Sequence, residues 1–296
     1  MTDQLEKPWI GRKIDVLDKG YVLVVDTWGA DEDVCAAARV SYAEGCKQVK
    51  DDAALIDYMM RHGHTSPFEQ AFLKLEIKLP IVVEREWART RTASWNEMSG
   101  RYSVLPEEFY VPTLDRVRRQ STTNRQGSGE EVLTKYAGHC IDHAASIGGW
   151  AFKFYNEDLA AGVAREVARF PLPLSTYTKK VWTLDLHNLL HFLKLRTSPE
   201  AMWEIRQYAE AIEEVVAEAW PLTYASWRNH VKDAVTFSAD ELPVVWEAIE
   251  AFSAGAKLED PFGCPPLTGS RLREFAAKMK RVGLPPTGGP KGPGRT

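Results

Sequence analysis

Residues 72–79 read FLKLEIKL, with strict alternation: Leu73, Leu75, Ile77 and Leu79 point to one side of an extended chain, and Lys74, Glu76 and Lys78 to the other. That spacing suits a strand with one face in a core and one face toward polar surroundings. Pro80 ends the run, and IVVEREWARTR (81–91) brings apolar residues at helical spacing, so a helix is expected that runs out into a loop. Upstream, KIDVLDKGYVLVVDT (13–27) holds two β-prone runs on either side of Asp18, Lys19 and Gly20, which predicts a hairpin. DEDVCAAARVSY (31–42) and DDAALIDYMMR (51–61) open on acids and continue with helix formers, as helix N-termini favour. Downstream, 131–161 and 186–219 are helical by period, with Leu189, Leu190, Leu193, Ile205, Ile212 and Val216 as the buried stripe of the second and Pro199 dividing it. Strands in front, long helices behind and no βαβ alternation predict an α+β domain over 1–235.

The rest of the chain narrows the function. A chain of 296 residues with 44% hydrophobic and 26% charged positions can bury a full core. A net charge of -4 attracts neither nucleic acid nor an anionic membrane, so a polyanion must be met by a local cluster of cations. DRVRRQSTTNRQGSGEE (115–131) is basic but lacks interleaved aromatics, and is expected to be a solvated loop rather than a nucleic-acid patch. Cys35, Cys46, Cys140 and Cys264 form no CxxC pair, which argues for reduced thiols in a cytoplasm. MTDQLEKPWIGRK has no apolar signal region and no run of about 18 apolar residues occurs, so neither export nor membrane spanning is expected. Residues 236–296 read as a C-terminal extension whose tail, GLPPTGGPKGPGRT, is expected to be disordered.

The local cation cluster is ARTRTASWNEMSGRY (88–102), where Arg89, Arg91 and Arg101 stand among Ser94, Asn96, Glu97 and Ser99. Guanidinium forks pair phosphate or carboxylate oxygens bidentately, although surface salt bridges would account for three arginines equally well. The spacing Arg-x-Arg-x-x-Ser-x-Asn-x-x-Ser-x-Arg-Tyr closely resembles the signature of the flavin-dependent thymidylate synthases. RHGHTSPFEQ (61–70), AARVSY (37–42), REVARFPLPLSTYT (165–178), LLHFLKLR (189–196) and AMWEIRQYA (201–209) resemble further segments of that family in order, across roughly 37–209.

The resemblance implies an α+β fold, a mostly antiparallel sheet packed with long helices, assembled as a homotetramer with active sites shared between subunits. It implies FAD, NADPH and 5,10-methylenetetrahydrofolate acting together to convert dUMP, a pyrimidine deoxynucleoside monophosphate, into dTMP. Carried over residue by residue, it assigns Glu86, Arg89, Ser99, Gly100, Arg101, Arg169 and Arg196 to the nucleotide. Arg196, facing the pyrimidine, and Ser99 are the catalytic candidates. It assigns Ser41, His64, Ser66, Glu69, Arg89, Thr90, Arg91, Asn96, Glu97, Asp185 and His191 to FAD. Trp87 and Trp95 flank the signature and are expected in core packing before flavin stacking.

Competing readings of these residues are weaker. His62 and His64, or His187 and His191, have spacings metal ligands use, but HNLLH lacks the glutamate of a zinc-protease helix, and no metal is expected. Ser99 lacks a nucleophile elbow. Arg39 and Arg206 are expected in structural ion pairs.

The sequence also departs from the family. Thr90 replaces the central histidine of Arg-His-Arg, Glu86 a common glutamine, Gln70 a common histidine and Asp185 a frequent asparagine, while Glu200 and Met202 break a His-Ala-Gln run. An acceptor-only carboxylate at 86 pairs with an arginine or takes a different donor, which raises cytosine as the base. Water capture of the one-carbon unit would give a hydroxymethyl pyrimidine, and a nucleotide-binding relative without turnover is the reading from another class.

Overall fold

The hairpin forms as expected from Lys13–Val16 (β1) and Gly20–Trp28 (β2), with Val16 opposite Gly20 at the turn. Gly20 is demanded by crowding, because a Cβ there would stand 2.0 Å from the Tyr208 hydroxyl and 2.8 Å from the Lys78 carbonyl. The structure is a computed structural model describing residues 7–41, 51–122, 126–253 and 269–281. Its chain divides into units at 1–232 and 233–296.

After β2 come the helices Asp31–Arg39 (α1) and Asp52–His62 (α2). Asp51 caps α2 by accepting from the Ala53 and Ala54 amides, and Gly63, at φ 68°, ends it in the left-handed conformation. Arg39 ion-pairs with Asp52 at 2.5 Å, the structural use expected for it. Strand Phe72–Pro80 (β3) follows: Leu73, Leu75, Ile77 and Leu79 are buried while Lys74, Glu76 and Lys78 are half-buried, as the alternation requires. Helix Ile81–Trp87 (α3) then leads into the signature, but the loop expected there contains a strand, Ser94–Glu97 (β4).

The stretch 115–131 also departs from the loop reading. Arg118–Gln120 (β5) and Ser128–Glu131 (β6) pair as a small exposed hairpin with a register shift. Helices Thr134–Ala160 (α4) and Arg165–Ala168 (α5) lead to Tyr177–Asp185 (β7), a strand not expected from the sequence. Leu186–Arg196 (α6), Trp203–Ala219 (α7) and Pro221–Trp227 (α8) complete the unit.

The sheet order is β1-β2-β3-β7-β4, antiparallel throughout, so β7 lies between β3 and the signature strand β4. Trp87 at the end of α3 meets Trp182 of β7 edge-on at 5.2 Å, Phe192 of α6 at 4.8 Å and Tyr208 of α7 at 6.0 Å. Within that aromatic cluster Lys180 of β7 is 2% exposed, ion-paired to Glu84 of α3 and 4.4 Å from the Trp87 ring centroid. Burial pushes the lysine pKa down and that of Glu84 up, each partly offset by its partner.

In the second unit, Leu242–Ser253 (α9) and Gly269–Arg281 (α10) bury Val244, Phe275 and Met279 with Phe237 and Val245 packed alongside. Lys278 bonds both oxygens of Glu241, at 2.8 and 2.6 Å. The Pro/Gly-rich tail lies outside the described residues.

Candidate active site

The first cluster grows from the turn after β4. Gly100 is buried, and an added Cβ would stand 3.1 Å from Leu105 Cδ1 and 3.3 Å from Arg169 Cδ, so Arg169, at the C-terminus of α5, lies against the signature turn. The Arg101 amide donates to Ser99 Oγ at 3.3 Å, and its guanidinium lies 3.2 Å from Glu166. Ser99, Gly100, Arg101 and Arg169 are therefore brought together, with two guanidiniums at one turn. Glu166, which holds Arg101, was not singled out from the sequence, although its place three residues before Arg169 was a signal.

The second cluster joins α3 to α6. Arg196 Nη1 donates to Glu86 Oε1 at 2.7 Å and Nη2 to the Glu86 carbonyl at 3.3 Å. The pairing expected for a glutamate at 86 is what forms, and it fixes the guanidinium at the end of α6. Arg196 Nε is buried without an acceptor. An unpaired buried donor on a fixed cation is costly unless something else accepts from it.

The third cluster is a cavity of about 190 Å³ between α2, α6 and α8. His64, His187, His191 and Lys194 bring polar groups to it, and Met59, Phe68, Leu190 and Trp227 supply apolar walls. The Trp227 indole N–H is buried with no acceptor. His187, Lys194 and Trp227 were not assigned from the sequence; 187, 191 and 194 recur on one helical face, which is the signal that would have found them. Among the described residues no three His, Cys, Asp or Glu side chains converge as a metal site requires. Apolar walls with imidazole nitrogens and a cation fit a flat heteroaromatic group, so these residues suit a flavin ring system.

The remaining candidates are more scattered. Arg89 and Arg91 are exposed in the turn after α3, with Thr90 half-buried between them. Asn96 and Trp95 are exposed on β4, and Glu97 accepts from the Thr178 hydroxyl at 2.7 Å. Ser41 is exposed past the end of α1, and Ser66 and Glu69 lie exposed in the turn before β3. Asp185 caps α6, accepting from the Asn188 amide at 2.9 Å and side chain at 2.6 Å, so both its oxygens are engaged. Trp87 is core, as expected, whereas Trp95, also expected in core packing, is 42% exposed because β4 is the edge strand of the sheet. Among the described residues no hydrogen bond or ion pair joins the three clusters to one another.

Cys35 is buried and its thiol is pushed up to about 12, chiefly by burial, which removes it as a nucleophile; Cys140 is exposed on α4. Cys46 and Cys264 lie outside the described residues. No described helix is long and apolar enough to cross a membrane.

The chain as a whole is similar to known proteins. The family model described as thymidylate synthase complementing protein (Thy1) matches residues 23–222. A flavin-dependent thymidylate synthase of Thermus thermophilus is 48% identical over 266 residues, 90% of this chain and 95% of that protein. That of Treponema denticola is 43% identical over 270 residues, covering 91% and 97%. Among solved structures, the UMP/dUMP methylase PolB from Streptomyces cacaoi bound with 5-Br dUMP is similar with a TM-score of 0.66 and 32% identity, covering 74% of this chain and 99% of PolB.

Proposed function

The chain belongs to the flavin-dependent thymidylate synthase family, and from that premise we propose that it is a methyltransferase converting dUMP into dTMP. The observation that supports this reading most directly is the meeting of Ser99, Gly100, Arg101 and Arg169 in one turn, a cradle for a phosphate monoester.

In this reading Arg101, Arg169 and the Ser99 hydroxyl grip the nucleotide phosphate. Arg196 faces the pyrimidine, where a fixed guanidinium stabilises negative charge on the ring as carbon five becomes nucleophilic. Glu86 is its positioning partner. Methylenetetrahydrofolate donates a carbon at the oxidation level of formaldehyde. Reducing it to a methyl takes two electrons from NADPH, so tetrahydrofolate leaves unoxidised. FAD, when bound, relays those electrons as a hydride, and His64, His191 and the signature residues Arg91, Asn96 and Glu97 would hold it. The buried, strongly raised thiol of Cys35 fits chemistry without a cysteine nucleophile.

Asp185 caps α6 with both oxygens engaged, and Glu86 gives one carboxylate oxygen to Arg196, so the two carboxylates that raised cytosine already have partners within the chain. The exposure of Ser41, Arg89, Arg91 and Asn96 in the single chain fits sites completed by neighbouring subunits of a homotetramer. Exposed Trp150 and Phe154 on α4, and Phe170, 76% exposed beside Arg169, offer the apolar surface. In this reading the enzyme works in the cytoplasm, which the four cysteines without a CxxC pair support.

Incubation with dUMP, methylenetetrahydrofolate and NADPH, followed by mass measurement of the nucleotide, tests the reading. A gained methyl supports it; a gained hydroxymethyl redirects it to water capture; a colourless protein without product refutes both. Arg169→Ala should weaken dUMP binding by about 1.5–3 kcal/mol while flavin stays bound, and unchanged affinity would refute the phosphate cradle.

A further inference from the structure

Away from these clusters, a cleft of about 340 Å³ opens between the β5–β6 hairpin and the connection from α6 to α7. Three arginines line it. Arg116 is fully engaged: Nε and Nη2 donate to Glu204 at 2.6 and 3.1 Å, and Nη1 to Ser128 at 2.9 Å. It acts as a strut holding the hairpin to α7. Arg118 donates only through Nε, to the Asp115 carbonyl at 2.9 Å, and among the described residues its terminal nitrogens have no acceptor. Arg206 has one ion-pair partner, Glu210, at 3.8 Å, beyond hydrogen-bonding distance. Two guanidinium forks at one cleft thus keep donors unspent, against a single lining carboxylate, Asp115. The wall beside them is Pro199, Met202 and half-buried Trp203, where the α7 N-terminus carries no side-chain cap.

We propose that this cleft binds a nucleoside phosphate, its phosphate held by Arg118 and Arg206 and its ring against the wall of Pro199, Met202 and Trp203. The guanidinium fork matches a phosphate, which accepts from several donors at once, and the apolar wall suits the planar part of such a ligand. In a protein of net charge -4, paired cations left without strong acceptors are a local feature with a ligand's geometry. Building on the reading as a thymidylate synthase, two ligands carry this chemistry: the phosphorylated adenosine end of NADPH and the triphosphate of the product, acting as an effector.

Calorimetric titration of the flavin-loaded protein with NADP+, NAD+ and dTTP, none of which reduces flavin, separates the sources. Arg118→Ala/Arg206→Ala should weaken a phosphate-bearing probe about tenfold or more, with flavin absorbance and dUMP affinity unchanged. Arg206→Glu, at a half-buried position outside the Arg116–Glu204–Ser128 bonds that hold the hairpin, should act in the same direction. Loss confined to NADP+, with NAD+ unaffected, assigns the cleft to the reductant's phosphate; loss confined to dTTP assigns it to an effector. The proposal is overturned if the variants bind both NADP+ and dTTP as the parent does, or if neither probe binds the parent. A protein that carries no flavin instead brings down the thymidylate synthase reading, so the two failures are distinguishable.

Discussion

Arg196 owes its position to a residue that departs from the family pattern. A glutamine at 86 would offer one acceptor oxygen and no charge, whereas Glu86 holds Nη1 at 2.7 Å with a full negative charge, while Nε stays buried without an acceptor. Arg196→Ala is expected to cut dTMP formation by about 10²–10³-fold with flavin retained, as for the loss of a preorganised charge-stabilising donor; turnover and flavin absorbance measured on one sample check this. Tyr21 gives a different residue-scale expectation. Its phenol donates to Glu76 at 2.7 Å and is pushed up to about 12, first by burial and then by that bond. A raised folded-state pKa means stability is fully present below pH 10, where the unfolded phenol titrates, and is lost as pH rises toward 12. The denaturation midpoint should fall across that window, and less steeply in Tyr21→Phe, with Tyr224, also pushed up to about 12, and the more deeply buried Tyr110, Tyr177 and Tyr208, pushed up further by burial, supplying the remainder.

At the scale of elements, the buried Lys180–Glu84 pair ties α3, which carries Glu86 and leads into Arg89, to the interior strand β7. Lys180→Met leaves Glu84 buried without its partner and should cost about 3–5 kcal/mol, while Lys180→Met/Glu84→Leu should recover most of it; urea unfolding of the three proteins decides. The same pair explains what the sequence concealed. β3 was legible because its polar residues alternate with its apolar ones, and α1, α2, α6 and α7 because acids, caps and apolar spacing agree. In YTKKVWTLD a lysine occupies an inward position, so the alternation that would announce β7 is broken by a charge whose partner lies almost a hundred residues away. β4, SWNE, has little apolar content and is a strand only because β7 pairs with it. Of the site, the signature arginines and Arg196 were legible as chemistry, but Glu166 and Trp227 matter only through neighbours that the fold supplies.

For the whole molecule, the proposed homotetramer would tie activity to assembly. Trp150→Glu, at a position 65% exposed on α4, should reduce the mass in light scattering and lower dUMP turnover together, whereas unchanged mass would exclude this face from the interface. The strand order has a further consequence, in time rather than space. Among the described residues β4 pairs only with β7, which follows it by more than 80 residues (Glu97 opposite Lys180), so during synthesis the signature leaves the ribosome several seconds before its partner exists. β1, β2 and β3 already have one another by then. The signature arginines therefore wait for the strand that orders them, and a pause in translation anywhere between β4 and β7 prolongs their exposure to proteases without touching a residue of the finished site.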